Sequence, residues 1–307
     1  MTNAVFDPGP FAVETRTLHA HDAARNRTFP VDLWQPANAG PHPLILYSHA
    51  SLQHRRAATF LTTHLASHGY RVAAMDHSEI VAPELARKEV ESDAERAARM
   101  DALIASRLPD IQFLLDFMVQ EFPVDASRIG IVGHSFGGWT ALQSAGADRR
   151  IRAVVAHAAG GGSNPKPGIL PLRLTYQWDA PTLYLVAEND ACLPLEGMQE
   201  SFEKTRAPKL MVILRRADHL HFMDHFAELH ENFRTMAGPP VLAPIQQEML
   251  PVAELCSEPQ AHLFTRGLTL AHLDAVLRDN HSARDFLAGD IAAELASRGV
   301  DAIVRRT

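Results

Sequence analysis

Residues 129–138 read Ile129-Gly-Ile-Val-Gly133-His134-Ser135-Phe136-Gly137-Gly138. This is a G-x-S-x-G pattern set between a short apolar run, Ile129–Val132, and a helix-forming run, Phe136–Gly146. A strand that becomes a helix across one residue forces that residue into a strained backbone conformation. The glycines two positions away on either side leave room for the close approach this requires. Such a turn lifts the serine hydroxyl off the carboxyl edge of a sheet and sets it at a helix amino terminus, where the helix dipole favours an anion. In a chain of 307 residues with 17 glycines the bare pattern arises by chance about 0.05 times. Ser135 is therefore read as a candidate nucleophile and not as an incidental loop serine.

Outward from this turn, apolar runs and helical patterns alternate. Leu44–Tyr47, Val72–Met75, Ile129–Val132, Val154–Ala156, Leu183–Ala187 and Leu210–Leu214 are apolar on both faces, as in parallel strands covered by helices on each side. Ala12–Leu18 and Thr28–Gln35 alternate and suit an edge hairpin. Helical patterns at Arg56–His68, Asp110–Gln120, Phe136–Gly146 and Gly197–Thr205 fall between the strands, which predicts a mostly parallel, doubly wound α/β sheet of about eight strands with helices on both faces. The reading is one domain over residues 1–307. Ile80–Arg107 places Val90, Ala97, Ile104 and Ile111 at heptad spacing, so 78–108 is expected to be a surface-helix or lid insertion. An irregular segment, 231–262, precedes closing helices at Leu268–Arg278 and Ala283–Ser297.

Composition narrows the function classes. The 29 Lys and Arg against 36 Asp and Glu give a net charge of −7, and there is no long basic run, which excludes an electrostatic nucleic-acid binder. With 46% hydrophobic and 21% charged residues the chain can build a substantial core. Two cysteines, Cys192 and Cys256, exclude a disulfide scaffold and a cysteine-based zinc module. No stretch reads as a secretory leader or a membrane span, and the expected location is the cytoplasm.

A serine needs a base, and the base needs an orienting acid. With this turn the chain order is Ser, acid, His. The strand Leu183–Ala187 runs into a loop bearing Glu188 and Asp190. Asp190 is the preferred acid and Glu188 the reserve. After Leu210–Leu214 come Asp218-His219-Leu-His221, where His219 is the preferred base and His221 the competitor. The oxyanion of a tetrahedral intermediate needs preorganised donors. The backbone N–H of Phe136 supplies one; that of Ser51, or of Ala50, in the turn Ser48-His49-Ala50-Ser51 supplies the other. Phe136, Trp139, Tyr176 and Trp178 are candidate walls of an apolar pocket, with ordinary core packing as the alternative. The run His219, His221, Asp224, His225, His230 lacks the H-E-x-x-H helix spacing, so no metal and no cofactor is assigned.

Three stretches, Ser48-His-Ala-Ser51, Leu65-Ala-Ser-His-Gly-Tyr-Arg-Val-Ala-Ala-Met-Asp-His77 and Gly133-His-Ser-Phe-Gly-Gly138, together with Asp218-His219-Leu-His-Phe222, resemble the α/β-hydrolase superfamily. The likeness is to its branch of dienelactone-hydrolase-like proteins and platelet-activating-factor acetylhydrolases, and covers residues 40–226 in order. It implies the α/β-hydrolase fold and a cofactor-free serine hydrolase acting on a small-molecule carboxylic ester, with amidase, peptidase, acyltransferase and non-catalytic binding roles as alternatives. Self-association is left open. Two departures stand out. His49-Ala50 replaces the usual His-Gly, which requires Ala50 to avoid positive φ. The acetylhydrolases carry their acid after the strand matching Ala153–Ala156, where this chain has His157-Ala158-Ala159; the resemblance then leaves the acid to Asp190.

Overall fold

The sheet begins with an antiparallel hairpin, β1 (Val13–Asp22) and β2 (Arg27–Pro36), in a computed structural model that describes residues 4–38, 40–88 and 90–306. Then follow β3 (His42–Ser48), α1 (Thr59–Ser67), β4 (Arg71–Met75), α2 (Ser78–Val81), α3 (Asp93–Glu121), β5 (Val124–His134), α4 (Phe136–Ala147), β6 (Ile151–His157), β7 (Thr182–Ala187), α5 (Leu195–Lys204) and β8 (Lys209–Leu214). The chain closes with α6 (Phe226–Thr235), α7 (Ala243–Glu248), α8 (Glu258–Leu277), α9 (His281–Ala288), α10 (Ile291–Ala296) and β9 (Ala302–Arg305).

The strands form one sheet in the order β1-β2-β4-β3-β5-β6-β7-β8-β9. From β4 to β8 all pairings are parallel, and β1, β2 and β9 are antiparallel edges. Every residue of β3, β4 and β7 is buried, as expected for strands covered on both faces. Helices α1 and α8 pack together on one face, and α3 and α4 on the other. The chain runs from β3 out to β4 and returns past β3 to β5. The crevice over the carboxyl ends of β3 and β5 is thus a topological switch point, where such sheets carry their ligands. Register aligns these ends, with Ser48 opposite Gly133 and His134 opposite His157.

The structure departs from the sequence expectations in four places. A ninth strand, β9, pairs with β8 and covers its edge; four residues at the chain end carry too little alternation to stand out. The 78–108 stretch is not one helix. It contains α2, a short 3-10 turn at Pro83–Leu85, and the start of α3, which a Ser92–Glu95 capping box opens; residue 89 lies outside the described residues. Val90 and Ala97 are exposed, and burial begins only at Leu103. Pro109 does not end α3, because Arg107 and Asp110 on either side of it are fully buried and hydrogen-bonded to other elements. The 231–262 segment holds the end of α6, α7 and the start of α8, with 3-10 turns at Pro240–Leu242 and Val252–Glu254 between them. Ala283–Ser297 is two helices, divided at Gly289 and Asp290.

The turn from β5 to α4 is the tightest approach in the sheet. A Cβ on Gly133 would lie 2.0 Å from the Gly137 carbonyl oxygen, and one on Gly137 would lie 2.0 Å from the Ser48 carbonyl oxygen. Real contacts of that kind do not occur, so β3, β5 and α4 can meet only around glycine. Gly137→Ala should therefore destabilise the fold by about 3 kcal/mol or more. Gly238→Ala, whose added carbon would sit 3.6 Å from the Gln246 side chain, should leave the denaturant midpoint unchanged; equal midpoints for the two variants would refute the steric argument.

The core also holds neutral imidazoles. Burial keeps His64, His157 and His221 protonating only at about 3, His272 at about 4, and His49 and His134 well below the ordinary range. In the unfolded chain each binds a proton near pH 6.5. Below that pH the unfolded state takes up more protons, so stability falls with acidification, by roughly 1 kcal/mol per pH unit for each such group. Thermal midpoints should drop by about 5–10 °C between pH 7.5 and 5.5, before most carboxylates titrate. A flat profile over that window would contradict this account.

Candidate active site

Ser135 adopts φ 57° and ψ −115°, a conformation that costs a non-glycine residue of order 1–3 kcal/mol. Its surroundings over-determine it. The Ser135 N–H donates to the His157 carbonyl at 2.9 Å, and its carbonyl accepts from Gly160 at 2.9 Å and Trp139 at 3.1 Å. Ends of β5, β6 and α4 thus hold one residue.

The Ser135 Oγ lies 2.9 Å from Nε2 of His219, and Nδ1 of His219 lies 2.8 Å from Oδ2 of Asp190. The other Asp190 oxygen accepts from the N–H groups of Cys192 at 2.9 Å and Leu193 at 2.7 Å, so the carboxylate cannot turn away. Burial lowers the proton affinity of His219, but the charges of Asp190 and, further off, Asp218 more than offset it, and the net shift is upward. The structure brings together Ser135, His219 and Asp190.

It sets the two competitors elsewhere. Glu188 accepts from the Arg215 side chain at 3.1 Å and the Arg216 N–H at 3.0 Å. His221 is stacked on Phe226 at 3.8 Å with its Nδ1 against the Asp218 backbone. The rest of the histidine-rich run disperses. Asp224 caps α1 through Thr59 and Phe60, and His230 donates from Nε2 to the Leu250 carbonyl at 2.8 Å.

Two residues whose roles did not stand out in the sequence set this geometry. Asp218 is buried, and its Oδ1 accepts from the N–H groups of Ala191 at 2.9 Å and His219 at 2.6 Å, joining the loops that carry Asp190 and His219. Burial and the Asp190 charge raise its pKa. His134 donates from Nε2 to the His219 carbonyl at 2.9 Å, pinning the His219 loop to the Ser135 turn. The only local signal for either was adjacency to a candidate residue.

The candidate oxyanion donors lie in the turn after β3 and at the start of α4. Among the described residues, the Phe136, Ala50 and Ser51 N–H groups have no hydrogen-bond acceptor. Ala50 keeps a negative φ, and the left-handed conformation falls on Leu52, φ 59°. The His77 N–H donates to Nε2 of His49, so the His49 proton sits on Nδ1, 2.7 Å from the Ala50 carbonyl; this imidazole is a turn-former.

Beside Ser135, Phe136 and Trp139 cluster with Leu172, flanked by Ile104 and Leu108 from α3 and Leu170 and Leu174 from the loop after β6. Tyr176 and Trp178 stack on each other instead, and Trp178 donates to Thr182 at the amino end of β7. Among the described residues, one group of metal-ligating atoms lies within 4.8 Å of one another, Asp190, Cys192 and His219. Its acid and imidazole are already paired, and burial holds the Cys192 thiol protonated. That donor set does not fit a resident metal. Burial also pushes the Cys256 thiol up to about 12. Among the described residues, no helix is long and apolar enough to cross a membrane.

Comparison with known proteins agrees with this architecture. The chain is 23% identical over 295 residues to chlorophyllase type 0 of Chenopodium album, covering 90% of this chain and 79% of that one. It superimposes on a ferulic acid esterase from Streptomyces cinnamoneus with a TM-score of 0.71 and 24% identity, over 98% of this chain and 99% of the other. A sequence profile of the chlorophyllase family matches residues 1–183, from the first strands through the nucleophile turn to the start of β7. With its sheet order, its serine turn and this match over more than half of its length, the chain belongs to the chlorophyllase family of α/β-hydrolases.

Proposed function

We propose that this protein hydrolyses a carboxylic ester through a covalent acyl-enzyme on Ser135. The observation that carries the reading is the continuous relay from Ser135 Oγ through His219 to Asp190, at 2.9 and 2.8 Å, beneath a serine held at positive φ. The names of the relatives, a chlorophyllase and a ferulic acid esterase, support ester cleavage.

In this mechanism Nε2 of His219 takes the Ser135 proton as Oγ attacks the carbonyl carbon. Asp190 accepts from Nδ1, keeps the imidazole in the required tautomer and stabilises its charged form. The Phe136 and Ser51 N–H groups receive the developing oxyanion. The intermediate collapses with cleavage of the carbon–oxygen bond, and His219 returns its proton to the leaving alcohol. Water, deprotonated by the same imidazole, then attacks the acyl-enzyme and releases the acid.

Treating the protein with a fluorophosphonate and reading its intact mass tests the nucleophile. One adduct is expected on the wild type and none on Ser135→Ala. A folded wild type that stays unlabelled, or a variant that still labels, would overturn the reading. On a soluble ester, Asp190→Asn should lower kcat about 10⁴-fold, while Glu188→Gln should stay within about threefold. The acidic limb of kcat/KM should lie above the ordinary histidine value of about 6.5. Because the shift comes from neighbouring carboxylates, Asp190→Asn should move that limb to lower pH; an unmoved limb would mean that another group sets it.

A further inference from the structure

The two candidate oxyanion donors come from different elements, the Phe136 N–H from α4 and the Ser51 N–H from the turn after β3. That turn belongs to no helix or strand, and its Leu52 sits at positive φ and is 79% exposed. Something outside the turn must hold it, because a displacement of about 1 Å at such a donor is enough to lose most of its effect.

The holding group is buried. Arg107, on α3, is fully inaccessible and donates to the His49 carbonyl at 2.8 Å. Its other terminal nitrogen donates to Oε1 of Glu79 at 2.7 Å, and the same Glu79 oxygen accepts the Leu52 N–H at 3.0 Å. These contacts close a ring: His49 carbonyl, Arg107, Glu79, Leu52 N–H. The ring encloses only Ala50 and Ser51. The Arg107 guanidinium also lies 4.0 Å over the Phe136 ring, the side chain of the residue that supplies the second donor. One turn along α3, Asp110 accepts from the Ser78 N–H at 2.7 Å and hydroxyl at 2.6 Å and contacts His77, whose Nε2 is 2.8 Å from the Ser48 hydroxyl.

We infer that Arg107, with Glu79, is a positioning residue that sets the Ser51 and Phe136 donors relative to each other, and that the segment from α2 into α3 braces the oxyanion hole. A fully buried ion pair is a weak source of stability, since well-packed apolar residues of similar volume commonly replace it at no cost. Here the pair joins the two ends of a turn whose other contacts, from His49 and the Gln53 N–H, all converge on the Ala50 carbonyl, and the planar fork of arginine is what reaches the His49 carbonyl and Glu79 together. The inference rests on the acyl-transfer reading above.

The test uses Glu79→Leu/Arg107→Met, which removes both charges, and Arg107→Lys, which keeps the charge and loses the fork. With a soluble ester, both variants should keep KM within about threefold while kcat falls, about 10²-fold in the double variant and by less in the lysine variant. Affinity for a boronic acid, which forms a tetrahedral adduct on the serine, should fall in parallel with kcat. Wild-type kcat and boronate affinity in either variant would overturn the bracing role, and so would a loss confined to KM. Should the double variant not fold, the lysine variant alone decides. Fluorophosphonate labelling at Ser135 separates the two failures. If Ser135 labels and turnover in the variants is normal, the brace is wrong; if Ser135 does not label, the acyl-transfer reading is wrong.

Discussion

The backbone of Ser135 is the constraint on which the site depends. A non-glycine residue at φ 57° persists only if its neighbours leave no alternative. Its N–H is tied to β6, its carbonyl to α4 and to the loop after β6, and the glycines on either side let β3 and α4 close to contact distance. The strain is therefore distributed across the centre of the sheet, where the strand ends that meet at this turn are buried.

Around that fixed point Asp190 and His219 are brought in by loops, and loops are where geometry is easily lost. Long-range hydrogen bonds to buried groups make up for this. Asp218 ties the Asp190 loop to the His219 loop, His134 ties the His219 loop to the Ser135 turn, and Asp224 ties the chain after His219 to α1. A buried polar group is expensive without a partner, and each of these meets backbone groups, although Asp218 Oδ2 and His134 Nδ1 have no hydrogen-bond partner among the described residues. A consequence is an interior rich in imidazoles and carboxylates whose protonation is coupled to folding. His219 is the exception in direction. It gains proton affinity because it faces Asp190, whereas the histidines around it lose theirs to burial.

Much of the fold was legible because its signals are local. Six parallel strands announce themselves as short runs apolar on both faces, and the Gly133-His-Ser-Phe-Gly137 turn needs only five residues to be recognised. β9 was missed because four residues at the end of a chain do not establish a period. The 78–108 stretch was misread because its heptad pattern pairs exposed Val90 and Ala97 with buried Ile111; what matters on α3 is a pair of charged residues, Arg107 and Asp110, that hydropathy counts as surface.

From the sequence alone came the alternation of strand and helix, the strained serine and the chain order in which an acid and a histidine should follow. These are properties of residues within a few positions of one another, set by backbone sterics and side-chain periodicity. Only the tertiary structure sets Asp190, and not Glu188, and His219, and not His221, in line with Ser135, since two carboxylates or two imidazoles two positions apart look alike until their loops are folded. The pairings that make the choice join residues 84 and 29 positions apart. They are decided by which backbone amides the buried carboxylates of Asp190 and Asp218 capture, and no local pattern encodes that.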